Sequence, residues 1–185
     1  AGGTGVEDGL TAEGYELLKA MQALNLVLDL THLSDAAFWQ ALDLYDGLII
    51  ASHSNCRALV PHQRQLNDAQ IKAIAVRDGV IGVAYDVWML RSGWIKGYTS
   101  NADIMMDAVT DHIDHICQLT GSAAHVGIGS DLDGGFGREQ SPSDLNTIAD
   151  MKNLIPLLRH RGYDENDLAN ILHQNWLRVL RKALL

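Results

Sequence analysis

Residues 26–55, LVLDLTHLSDAAFWQALDLYDGLIIASHSN, decide how this chain folds. Two short apolar runs, 26–30 and 48–51, each end within two residues of a histidine, His32 and His53, and a helix-like segment separates them. A crossover of that length returns the chain in the same direction, so the runs read as strands of one parallel sheet. Both imidazoles then emerge at the carboxyl end of that sheet, where open α/β sheets and barrels place their sites.

Working outward, the pattern repeats. Thr11 is a good N-cap for a helix over 11–24, with Leu17, Leu18, Met21 and Leu24 on one face. Ser34 and Asp35 start a second helix whose Phe38, Leu42 and Leu44 can face the sheet. A polar loop over 52–66 follows the second strand, and Asn67 caps a third helix over 68–77 carrying Ile71, Ile74 and Ala75. Residues 80–85 form a strand apolar on both faces, as in a covered parallel sheet. The long loop 86–100 carries Trp88, Trp94 and Tyr98, whose aromatic rings suggest a lid or pocket wall, with packing an equal alternative for Trp88 and Trp94. A helix over 101–119, with Ile104, Met105, Ala108, Ile113 and Ile116 at helical spacing, ends near Gly121. The fourth strand, 125–129, leads into the loop 130–137, SDLDGGFG, and helices over about 143–160, 164–172 and 175–183 close the chain. Strict alternation of this kind predicts a parallel α/β sheet. A closed eight-stranded barrel needs about 250 residues, so four strands amount to half of one.

Composition narrows the function. The 185 residues are 47% hydrophobic and 20% charged, ordinary for a globular domain, and the net charge of −9 argues against a nucleic-acid partner. No apolar run approaches the roughly 20 residues of a membrane-spanning helix, so a soluble chain, cytoplasmic by default, is expected. Cys56 and Cys117 form neither a disulfide framework nor a CxxC site. Cys117 reads as a buried inert thiol, and Cys56 as a loop thiol close to His53.

His32, His53 and Asp131 each follow a strand, and imidazole with carboxylate suits zinc and its neighbours. A histidine at a strand end is also commonly a packing residue, so spacing alone leaves both readings open. His112 and His115 sit three apart on one helix face, but Ile113 and Ile116 beside them favour a helix packed on the sheet with both histidines on its polar edge. SDLDGG places its glycine too early for a calcium loop. Arg57 and His62 divide evenly between touching a substrate and solvating their loop. Trp176, Leu177 and Leu180 in the tail are expected to dock on the core.

The sequence around these residues adds a specific likeness. DLTHLSDAAF, IIASHSNCRALVPHQRQL, HIDHI with HVGIGSDLDG, and NILHQNWLRVL resemble, in order, the second half of the membrane dipeptidase family. That resemblance implies the second half of a TIM-like (β/α)8 barrel, spanning 1–185 as a single, incomplete domain, and a metal-dependent hydrolysis of dipeptides by an activated water. Position by position, it implies that His32 and His53 bind one zinc of a binuclear pair. It places the substrate-carboxylate arginine at Arg64 and the acid–base aspartate at Asp131. The ligands of the second zinc, an H-x-D pair and a bridging glutamate, belong to the family's first half and are expected to be absent here. The expected partners are a small dipeptide and a missing amino-terminal half, a complementary chain or further copies in a homo-oligomer. A non-catalytic half-barrel lacking a complete metal site is the alternative.

Overall fold

A computed structural model of the chain describes residues 5–184. Four short strands, β1 (Leu28–Asp29), β2 (Ile49–Ala51), β3 (Val80–Val83) and β4 (Val126–Ile128), form one parallel sheet in the order β1-β2-β3-β4. Every strand–helix crossover returns to the neighbouring strand, as the alternation predicts. The strands are shorter than the apolar runs, which extend past them at one end or both.

The first three helices begin where the sequence supplies a cap. In α1 (Ala12–Ala23), α2 (Asp35–Leu44) and α3 (Asp68–Val76), the side chains of Thr11, Ser34 and Asn67 accept from Gly14, Ala37 and Gln70 N–H groups. Asn67 and Gln70 close a reciprocal capping box. Ile71 and Ile74 of α3 and Phe38 of α2 are fully buried against the sheet, each worth about 1.5–3 kcal/mol. The outer stripes differ from expectation. Leu17 of α1, its C-cap residue Leu24 and Leu44 of α2 are exposed, whereas Leu18 of α1 and Ala37, Phe38 and Ala41 of α2 are buried.

After the short α4 (Val87–Leu90), the fifth helix, α5, spans Asp107–Thr120 and starts six residues later than its hydrophobic spacing suggests. Asn101 is the reason: its amide donates to the Arg138 and Ser141 carbonyls, pinning 101–106 as a turn. Met105 is therefore exposed while Met106 is buried. In place of one helix over 143–160, a 3-10 segment Ile148–Asn153 precedes α6 (Leu154–His160). Next, α7 (Glu165–Ala169) runs through a π-helical turn, Asn170–Gln174, into α8 (Asn175–Leu184).

That last helix closes one side of the sheet. Gly129 N–H donates to Val83 O, so the carbonyls of Val126 and Ile128 face away from β3. Asn175 Nδ2 donates to the first at 2.8 Å and Trp176 Nε1 to the second at 3.0 Å. Val179, not Leu180, reaches the core. No helix among the described residues is long and apolar enough to cross a membrane.

Candidate metal and substrate site

The carboxyl ends of β1, β2 and β4 converge on one cleft. A cavity of about 460 Å³ there is lined by Ser52, His53, Ile128, Gly129, Ser130, Asp131, Asp133 and Gly134. His32 and Asp131 both stand on left-handed backbone, φ 70° and 59°. Such a conformation is costly for a residue with a side chain and concentrates at functional positions. It turns each side chain back over the strand end.

His32 Nε2 and His53 Nε2 face each other at 3.0 Å. The His53 tautomer follows from the hydroxyl of Ser52 beside it. Ser52 Oγ donates to Asp29 Oδ2, so it must accept from His53 Nδ1–H at 2.7 Å, leaving Nε2 with a lone pair. Asp29 Oδ1 also accepts from the Thr31 and Ser52 N–H groups. Burial opposes the Asp29 charge, but these donors together hold its carboxyl below the usual range. Burial lowers the pKa of both imidazoles, with the Arg64 charge adding to the effect at His32 and opposed at His53 by Asp131. Both are thus held neutral, the form in which imidazole binds metal.

Arg64 completes the cluster. Its Nη2 donates to His53 O at 2.7 Å, its Nη1 to Ser54 Oγ at 3.1 Å, and Nη2 lies 3.3 Å from His32 Nε2. A guanidinium has no lone pair to offer, so His32 Nε2 accepts there. The two Nε2 atoms then stand 3.0 Å apart with no proton between them, and an ion bound there would take over the His32 lone pair from Arg64. Two nitrogens bound to one zinc at about 2.0–2.1 Å stand roughly 3.0–3.4 Å apart, so the pair fits one ion. Asp131 Oδ1 lies 4.0 Å from His53 Nε2.

All four residues singled out by sequence meet in this cluster. Asp29 and Ser52 were missed, although an aspartate three residues before His32 and a serine directly before His53 were legible signals. Among the described residues no group of three or more His, Cys, Asp or Glu side chains is placed to hold an ion. The one His-x-Asp in the sequence, His112-Ile113-Asp114, lies on α5. His112 accepts from Cys56 N–H at 3.1 Å, and Asp114 binds Arg161 and Tyr163, so this pair serves packing.

A membrane dipeptidase (peptidase family M19) sequence model matches residues 2–184. The chain belongs to the membrane dipeptidase family. It is 36% identical over 175 residues to an uncharacterized protein in the pqqA 5' region of Klebsiella pneumoniae, covering 95% of this chain and 61% of that protein. Over 95% of its length it is also 30% identical to mouse dipeptidase 3, of which it covers 33%. Among solved structures, it superposes on a Rhodobacter sphaeroides metallopeptidase liganded with a phosphinate mimic of the dipeptide L-Ala-D-Ala. The TM-score is 0.83 at 32% identity, covering 95% of this chain and 48% of that one. The family neighbours are TIM-like barrels, and this membrane dipeptidase chain spans about half of one. Membership implies a metal cofactor, generally zinc.

Several expectations need correction in this dipeptidase half-barrel. His112 is not on a polar edge: it is fully buried, bridging α5 to the loop after His53. Burial pushes its pKa down to about 4 from the ordinary 6.5. Between those values the unfolded chain binds a proton that the folded chain does not. Stability is therefore complete above pH 6.5 and declines as pH falls toward 4, by about 3 kcal/mol. H112Q, which keeps an acceptor for Cys56 N–H, should lose that part of the slope in denaturant melts; a slope equal to wild type would contradict the assignment. Cys56 is buried with its thiol pushed far up, and Cys117, half-buried, is pushed up to about 11 by burial. Arg57 grips Asp35 bidentately at 2.7 and 2.8 Å, and His62 meets Trp88 edge-to-face with ring centroids 4.8 Å apart, so both serve the loop. Trp94 is buried and Tyr98 exposed, so neither lines the cleft.

Proposed function

We propose that this chain is the carboxyl-terminal half of a zinc dipeptidase, in which it forms a single, incomplete domain. The observation that carries this reading is the pair of neutral imidazoles meeting at 3.0 Å, with Arg64 and Asp131 around them. His32 and His53 would hold one zinc of a binuclear pair, and the ion would supply Lewis-acid activation of water. The remaining ligands would come from outside this chain.

Arg64 binds the substrate carboxylate. Burial disfavours its charge, so an incoming carboxylate gains a partner with little competing hydration. Asp131 takes up the proton of the attacking water and returns it to the leaving amine, which the 4.0 Å between its Oδ1 and His53 Nε2 supports. Removing metal with a chelator should abolish dipeptide hydrolysis and zinc should restore it. Hydrolysis indifferent to chelation would overturn the reading. R64A should raise KM for a dipeptide at least about tenfold, the scale of a lost charge-assisted hydrogen bond, and leave a dipeptide amide unaffected.

A non-catalytic half-barrel remains the second reading, favoured by the lack of a third ligand beside the two histidines among the described residues. Metal analysis and a dipeptide assay on the protein in its native assembly discriminate: tight zinc with turnover supports the enzyme, and neither supports the module.

A further inference from the structure

His53 and Arg64 are joined by a ten-residue loop, yet their heads must agree to within about 0.5 Å to act together. Such a loop needs an anchor. Two fully buried side-chain amides, Asn55 and Gln65, supply it.

Asn55 pairs with the backbone of Ala84 in both directions: Oδ1 accepts from Ala84 N–H at 2.7 Å and Nδ2 donates to Ala84 O at 3.1 Å. The side chain thus continues the β2–β3 ladder past the strand ends. Nδ2 also donates to Met89 O at 3.2 Å, and Gln65 Nε2 donates to the same carbonyl at 3.0 Å. Gln65 Oε1 in turn accepts from Asn55 N–H at 3.1 Å. Leu66 N–H donates to Asn55 O at 2.9 Å and closes the base of the loop. Gln65 is the residue next to Arg64, and Asn55 stands two residues after His53. Between them the loop is tied to itself, to the end of β3 and to α4.

We propose that Asn55 and Gln65 are a positioning pair that sets the Arg64 fork for the substrate carboxylate. This rests on the dipeptidase reading of Arg64. The pair touches neither substrate nor metal; it acts through the backbone on either side of Arg64. A buried amide network in which each member has partners rigidifies its surroundings, and removing one member strands the others.

The test uses the active, zinc-loaded protein that carries this chain, with a phosphinate dipeptide mimic and its carboxamide counterpart as probes. Gln65→Met is close to isosteric and removes both polar contacts. It should weaken carboxylate-mimic binding and raise the dipeptide KM at least tenfold, with kcat within about threefold, zinc content unchanged and carboxamide binding unchanged. In an R64A background, Q65M should add no further loss. If R64A lowers carboxylate binding but Q65M does not, or if Q65M lowers kcat and KM effects spread equally to the carboxamide, the positioning role is overturned. If R64A itself fails to distinguish the two probes, the reading of Arg64 fails instead. Should Q65M not melt cooperatively, Gln65→Glu, which keeps the acceptor for Asn55 N–H, is read by the same criteria.

Discussion

Replacing His32 by alanine in the protein that carries this chain should reduce zinc affinity and dipeptide turnover together, each by well over about 100-fold. Loss of a residue that merely orients a ligand typically costs 10–100-fold in metal affinity or activity, and His32 would be the ligand. The effect should be shared by H53A, because either change leaves one imidazole facing an empty position across 3.0 Å. S52A should be milder. It removes only the hydroxyl that relays Asp29 to His53 Nδ1, so a loss within the 10–100-fold range is expected. The ordering is the informative part, read by metal analysis beside kcat/KM. An H32A protein with full zinc content and full turnover would remove His32 from the site.

The largest stability loss is expected at Gly129. A Cβ built there lies 2.0 Å from the Ser52 carbonyl oxygen and 2.8 Å from Gly82 backbone atoms. These are backbone contacts, so no side chain can swing aside. Overpacking that flexible neighbours absorb costs about 1–3 kcal/mol, and G129A should exceed that, at about 4 kcal/mol or more. G82A meets the same oxygen at 2.0 Å and should behave alike. Gly121 is the control. It has positive φ, 70°, but nothing within 4 Å of its Cβ, so G121A should cost only about 1–2 kcal/mol. Urea denaturation of the three variants checks the order. A G129A protein within 1 kcal/mol of wild type would mean the strand ends are looser than they stand here.

Strand alternation, helix caps and the convergence of His32, His53 and Asp131 were legible, because apolar runs, cap residues and strand-end polar residues are local signals, whereas Arg64 was reached only through the family resemblance. Other features answer to distant partners. The start of α5 depends on Asn101 reaching Arg138 and Ser141, nearly forty residues away. His112 looked like a surface residue in a helical pattern, yet its partner is a backbone N–H of another loop. Leu17, Leu24 and Leu44 carried the right spacing but stay exposed. Hydrophobic period reports which residues share a face, and only the assembled sheet determines whether that face is covered.

The left-handed backbone at His32 and Asp131 limits how this chemistry can be moved or diversified. A designer transplanting the two side chains onto another parallel sheet would have to transplant the reversed turn as well, since an ordinary extended residue would aim them at one face of the sheet. Mutant libraries at these positions should be read the same way. Asn and Gly substitutions keep the turn and isolate the chemistry, whereas Val, Ile or Thr disturb both at once.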